Sequence, residues 1–347
     1  LAEHGGELFA AARNHRTGLF FEASVAGGIP IIRSLQEGLV ANELDSIVGI
    51  LNGTCNYILT RMEESALSFD AALQEAQAAG YAEADPALDI DGLDTAHKAC
   101  ILASIAYGSA VKPSQLHVRG IRGLEQIDIL CAAELGYHIK MLASLRRVKD
   151  QAEIAVQPAL VPGDHVLAGV SGVYNAVLVE GDLSGRTLYY GRGAGRYPTA
   201  SAILGDLADA AGRLLTSGPW NTSGFAPGEG RTRLKDPDAA RARYYLRLSL
   251  LDRPGILARV AQTLGGHGIS LASVLQREQE ADGIVPVIML THSAPGRSVR
   301  AALREIDAMD CVGGPTVRFR IEDFADETTR SPRPINWIAC AGARRKE

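Results

Sequence analysis

A break in composition around residues 216–240 constrains the fold of this chain more than any other feature. There Gly, Pro, Ser, Thr and charged residues replace apolar periodicity, the composition of a linker. At 347 residues the chain exceeds one ordinary domain, so the break separates folding units of unequal size. On its C-terminal side, 244–251, 270–277, 285–291 and 316–321 read as strands, and 255–266 and 297–308 as helices. This βαββαβ order predicts a small ferredoxin-like module.

The larger N-terminal side mixes the two periodicities. A helix is expected over 2–15, a strand over 19–25, a helical stretch after Pro30, and a strand over 46–51 that ends in Asn52-Gly53-Thr54. Further helices are expected from about Cys55, over 68–80, and from a loop at 81–91 to Tyr107. Short apolar runs through 185 predict more strands of a mixed sheet.

Global composition excludes several classes of function. The net charge of -5 gives no footprint for nucleic acid, and no apolar run approaches the ~20 residues of a membrane span. The N-terminal Leu-Ala-Glu-His-Gly-Gly has no signal-peptide pattern. Five cysteines are scattered without a CxxC pair, which predicts neither a disulfide framework nor a zinc ribbon and fits a reducing cytoplasm. The eight histidines lack ligand spacing, and no GxSxG elbow or P-loop occurs, so metal hydrolase, serine hydrolase and NTPase readings are poor.

Three stretches carry chemistry. In Gly80–Lys98, Asp91 is placed to cap a helix on which Asp94 and Lys98 share a face four residues apart. The rest of that helix is apolar nearly all round, so it should be buried. A lysine held among carboxylates in a partly desolvated cleft moves protons, and Glu83 upstream suits a substrate ammonium; an ordinary i,i+4 surface pair is the plainer alternative. Gly191-Arg-Gly193-Ala-Gly195 after an expected strand opens a helix over 200–214, either a tight turn or a cofactor contact. Glu22, leaving an apolar segment for Val25-Ala-Gly27-Gly-Ile29-Pro, is either a solvated loop acid or part of an oxygen-ligand cation site. In the C-terminal module, Asp252-Arg-Pro-Gly-Ile-Leu257 puts a helix N-terminus beside a turn, a place for a small carboxylate.

The segments 21–32, 49–59, 80–98 and 193–201, in that order, resemble homoserine dehydrogenase, and 243–323 resembles the ACT domain that many bacterial members carry. The resemblance implies interconversion of L-homoserine and L-aspartate 4-semialdehyde with NADP or NAD, on the way to threonine, methionine and isoleucine. It implies Lys98 as the proton-transfer lysine assisted by Asp94, and Glu83, Asp89, Thr54 and Tyr81 around the substrate. It further implies Gly193 and Gly195 at the cofactor, and Glu22 with the carbonyls of Val25, Gly27 and Ile29 at a Na+ site.

The implied fold is α/β and α+β. Residues 1–28 are the remnant of a Rossmann-like nucleotide-binding domain, 29–190 a mixed-sheet catalytic and dimerisation domain, and 191–215 a helix returning to the nucleotide side. A linker (216–242), the ACT domain (243–323) and a tail (324–347) complete it. The family's GxGxxG fingerprint does not occur here, so the chain is expected to be N-terminally truncated and not to turn over alone. A homodimer or tetramer with threonine as effector is expected, with no nucleic-acid or membrane partner. The alternative from another class is a catalytically silent, amino-acid-sensing regulatory protein.

Overall fold

The structure, a computed structural model, describes residues 1–108, 111–216, 233–236, 239–276 and 283–324. Most of the expected linker, and all of the expected tail but Phe324, lie outside the described residues. Helix α1 (Gly5–Asn14) buries Phe9, which meets Phe21 edge-on at 5.5 Å. A 3₁₀ turn at Glu22–Ser24 then leads to α2 (Ile31–Arg33), extended by a π turn to Gly38. The strand expected over 19–25 is therefore not formed. Its apolar residues Phe21 and Val25 are buried as core side chains, and no strand pairs with this segment among the described residues.

The chain continues through β1 (Leu44–Ile50), α3 (Gly53–Ser65), α4 (Phe69–Ala78), the short α5 (Ala87–Ile90) and α6 (Leu93–Tyr107). After β2 (His117–Val118) and α7 (Gln126–Glu134) come β3 (Tyr137–Val148), β4 (Gln151–Pro162), β5 (Tyr174–Gly181), β6 (Gly185–Arg192) and the long α8 (Arg196–Thr216). The C-terminal part holds β7 (Arg233–Leu234), β8 (Arg241–Leu251), α9 (Ile256–Gly266), β9 (Leu271–Gln276), β10 (Ile284–Thr291), β11 (Ala294–Pro295), α10 (Gly296–Asp307) and β12 (Val317–Ile321). Among the described residues no helix is long and apolar enough to cross a membrane.

One sheet runs through the molecule in the order β6-β5-β1-β3-β4-β12-β8-β10-β9. The first five strands pair antiparallel, and so do β12, β8, β10 and β9, which give the ferredoxin-like order expected of the C-terminal module. The join is parallel: Arg320 and Ile321 of β12 stand against Ala159 and Leu160 of β4. Part of the expected linker also enters this sheet, Arg233 pairing with Gln151. One face of the larger sheet packs Ile47, Leu145 and Val177 against Ile58 and Leu102 of the helices. On the other face Val48, Leu142 and Leu178 are covered by Leu167, Ala168 and Val170.

The carboxyl end of β1, buried against α6, is where the polar residues collect. Helix α6 has almost no solvated face, since Ala96, Ala99, Cys100, Leu102 and Ala103 are all fully buried. Gly92 at φ +85 starts it and Gly108 at φ +63 ends it with its N–H on the Ser104 carbonyl, backbone conformations that disfavour a side chain. Asp91 does not cap α6 as its position suggests. Its carboxylate instead takes both Nε and Nη2 of Arg122, at 2.7 and 3.0 Å, and this bidentate contact holds its pKa below the ordinary carboxylate range.

Candidate active site

The Asp94–Lys98 pair forms as its spacing requires. Lys98 Nζ donates to Asp94 Oδ2 at 2.7 Å and to the Leu51 carbonyl at 3.0 Å, which leaves one ammonium hydrogen for another oxygen. Both side chains are mostly covered, so the pair is set into the protein rather than laid on its surface. Leu51 follows β1 directly, and its carbonyl fixes the lysine relative to the sheet as well as to its own helix.

Asn52 completes the cluster. It is the N-cap of α3, its Oδ1 accepting the Cys55 N–H at 2.8 Å, and that bond starts the helix here. Its Nδ2 donates to Asp89 Oδ1 at 2.7 Å and to Asp94 Oδ2 at 2.8 Å. Asp89 thus joins Asp94 and Lys98 in one network. Cys55 lies against it, Sγ donating to the Asp89 carbonyl; burial first, then the neighbouring carboxylates, pushes the thiol well above its ordinary range. The only signal in the sequence for Asn52 is an Asn before Gly-Thr at a strand end, which predicts a cap and nothing more.

Thr54 and Tyr81 are also brought together: Thr54 Oγ1 donates to the Tyr81 carbonyl at 2.7 Å, and the Tyr81 ring lies 4.9 Å from that of Tyr57. Thr54 therefore ties α3 to the loop that carries Glu83. Glu83 is exposed, and its carbonyl is held by Gln77 Nε2 at 3.0 Å, so the loop is anchored through its backbone while the carboxylate faces solvent.

The two glycine loops meet beside this cluster. Gly28 N–H donates to the Arg192 carbonyl at 3.0 Å, and a Cβ on Gly28 would stand 2.5 Å from that same oxygen. A Cβ on Gly193 would stand 2.1 Å from Asn175 Cγ, while one on Gly53 would lie 3.6 Å from Asn175 Oδ1. Buried Asn175, whose Oδ1 has no hydrogen-bond partner among the described residues, thus sits between the turn that starts α3 and the turn that starts α8. Gly195 has φ +121, a backbone conformation that an L side chain rarely adopts, and its carbonyl accepts the Thr199 N–H in the first turn of α8. A cleft of about 190 Å³ runs along Gly27, Gly28, Pro30, Ser201, Ala202 and Gly205.

Glu22 has a local partner that its position in the sequence does not announce. Its Oε1 and Oε2 accept the N–H groups of Ile32 and Arg33, each at 2.9 Å, so it caps α2 from ten residues upstream. Burial raises its pKa and these two bonds oppose the rise. Its own N–H donates to Asp206 of α8 at 3.0 Å, which seats that helix on the loop. Among the described residues no group of three or more His, Cys, Asp or Glu is placed to hold a metal ion.

Comparison with known proteins sharpens this picture. Residues 30–208 match the homoserine dehydrogenase family model and 244–308 the ACT domain model. A homoserine dehydrogenase of Pseudomonas aeruginosa is 44% identical over 329 residues, 93% of this chain and 76% of that protein. The crystal structure of a homoserine dehydrogenase from Thiobacillus denitrificans superposes with a TM-score of 0.87 at 44% identity, over 93% of this chain and 74% of that one. A hyperthermophilic archaeal homoserine dehydrogenase mutant in complex with NADPH aligns over 61% of each chain, at 31% identity and a TM-score of 0.53.

Proposed function

The chain belongs to the homoserine dehydrogenase family, and we propose that Lys98, Asp94, Asp89 and Glu83 carry its reaction, the NAD(P)-dependent interconversion of L-homoserine and L-aspartate 4-semialdehyde. The observation that carries this assignment is the Lys98 ammonium, fixed by Asp94 and the Leu51 carbonyl with one donor uncommitted among the described residues. In the reductive direction that donor gives its proton to the aldehyde oxygen as the carbonyl becomes a hydroxyl; in the oxidative direction the neutral amine takes it back. Asp94 keeps the ammonium oriented. Glu83 and Asp89 hold the substrate ammonium, with Thr54 and Tyr81 setting the distance between α3 and the loop.

NADP or NAD supplies hydride transfer when bound. The turn before α8 fits such a group, because Gly195, at φ +121 where a side chain is rarely tolerated, stands at the start of that helix, and Gly27 and Gly28 line the cleft along it. Gly193 and Gly195 are the residues that would hold it. Na+ would be held by Glu22 and the carbonyls of Val25, Gly27 and Ile29. The Glu22 carboxylate keeps a second lone pair on each oxygen after its two amide bonds, and a bound cation would offset its burial. A homodimer or tetramer in a reducing cytoplasm, with threonine at the ACT domain, completes the proposal; Cys55, Cys100 and Cys311, buried and without a disulfide among the described residues, fit that compartment. The intact Asp89–Asp94–Lys98 set argues against a catalytically silent sensor.

The test is steady-state turnover of homoserine with NADP+ and NAD+ by the chain joined to a homoserine dehydrogenase nucleotide-binding domain, because the GxGxxG fingerprint does not occur in the chain. Lys98→Ala should lower kcat by about 10²–10⁴, whereas Glu83→Ala should act mainly on the KM for homoserine, since an ammonium contact is largely uniform binding. A near-normal kcat for Lys98→Ala across pH sinks the assignment.

A further inference from the structure

We infer that Asn52 is a positioning residue for this reaction, its side-chain amide bridging Asp89 and Asp94 so that the substrate-binding and the proton-transferring carboxylates hold one geometry. The inference rests on the assignment of Asp89 and Lys98 made above. Three bonds at 2.7–2.8 Å fill the Asn52 amide: Oδ1 takes the Cys55 N–H, and Nδ2 gives one hydrogen to each carboxylate. With 4% of its surface exposed, Asn52 leaves water little access to this arrangement.

The contacts are separated by 37 and 42 residues in the chain, so the capping role does not require them. Any Asn, Asp or Ser would cap α3 about equally well. Only a neutral amide caps through its oxygen and donates twice through its nitrogen. The groups facing it are Asp89 from α5, Asp94 and Lys98 from α6, and Cys55 from α3, with Asp91 just beyond. Two carboxylates this near one another repel, and the amide dipole, together with Lys98, holds them in place. Asp94 Oδ2 receives both the Asn52 amide and the Lys98 ammonium, so a shift of Asn52 moves the lysine.

Two variants separate this role from capping. Asn52→Ser keeps an acceptor for the Cys55 N–H and removes both donors. It should stay folded, with kcat lower by about 10- to 100-fold, the weight of hydrogen bonds to charged groups. Asn52→Asp keeps the shape and the cap but sets a third carboxylate against Asp89 and Asp94. Its loss should be largest near pH ~8 and shrink on acidification, because a carboxyl crowded by like charges takes up a proton readily and then donates an O–H. The same narrowing is expected in melting temperature, which needs no turnover.

Wild-type turnover is measured first on the chain joined to a homoserine dehydrogenase nucleotide-binding domain, and its absence there would overturn the functional assignment rather than the contacts of Asn52. A wild-type kcat in Asn52→Ser, or an Asn52→Asp deficit that stays constant with pH in both rate and melting temperature, overturns the inference. If Asn52→Ser fails to fold, Asn52→Asp alone decides.

Discussion

Asp128 of α7 holds Arg247 of β8 with both carboxylate oxygens, Nε to Oδ1 at 2.8 Å and Nη2 to Oδ2 at 3.1 Å, across the junction between the larger sheet and the ACT domain. Asp128 is fully buried and also accepts the Tyr245 hydroxyl at 3.0 Å, while Glu125 takes a further Arg247 hydrogen. Removing Asp128 leaves buried Arg247 with the exposed Glu125 as its counter-charge, a poorer partner than a buried carboxylate. Asp128→Ala should therefore cost about 3–5 kcal/mol, and pairing it with Arg247→Leu should recover a large part. Urea unfolding of the two variants measures this. A double variant no more stable than Asp128→Ala would show that the charge is not the cause.

The same junction is acid-sensitive at a second point. Glu322, buried at the end of β12, lies between Arg146 of β3 and Arg320 of β12. Burial alone would raise its carboxyl, but the two guanidiniums outweigh it and hold the pKa below its ordinary 4.5. With a depressed folded value, its contribution to stability is complete above about pH 4.5 and is lost as pH falls through the lower folded value. The melting temperature should consequently drop more steeply below that pH for the wild type than for Glu322→Gln. Parallel curves would count against the assignment.

Gly193 should not tolerate even alanine. The added Cβ would overlap buried Asn175, 2.1 Å from its Cγ, and a short side chain in a packed site has little room to move. Overpacking of this kind costs about 1–3 kcal/mol, and here it also displaces the turn proposed to hold the cofactor. Gly193→Ala should lose stability and raise the KM for NADP+, with Asn175→Ala restoring part of both. Denaturation and kinetics of the single and double variants check it; no recovery in the double would mean that the clash lies elsewhere.

At the ACT domain, threonine is expected to bind near the start of α9, where Gly255 at φ +88 precedes Ile256 and Asp252 Oδ1 accepts Gln276 Nε2 at 3.2 Å. A coupling free energy of about 1–3 kcal/mol would change substrate affinity roughly 5- to 150-fold. Titration calorimetry of the full chain with threonine, beside the other amino acids, is the check, with Asp252→Ala expected to weaken the heat. No response to any of them at millimolar concentration would leave the domain as an assembly element.

Much of this molecule is legible in the residues because its forces are local. The expected ACT elements at 244–251, 255–266, 285–291 and 297–308 lie within a few residues of the observed ones, since period-two and period-3.6 patterns are set by neighbours. Asp94 and Lys98 meet because four residues of helix bring any two side chains to one face. Burial of α6 follows from its apolar circumference.

Tertiary contact settled what those patterns leave open. An apolar run such as 19–25 is a strand only if a partner satisfies its amides; here Phe21 and Val25 bury as side chains and Glu22 turns back to cap α2. Asp91 looks like a cap until Arg122, 31 residues on, takes its carboxylate. The ACT module reads as a separate body, yet β12 lies beside β4 and makes one continuous sheet, a pairing between positions some 160 residues apart. Asn52 is an ordinary cap in the sequence and becomes the link between Asp89 and Asp94 only when α5 and α6 fold against the end of β1. Helical hydrogen bonds close within a turn, whereas sheet pairing and the meeting of polar groups at strand ends depend on segments whose separation along the chain carries no signal of their contact.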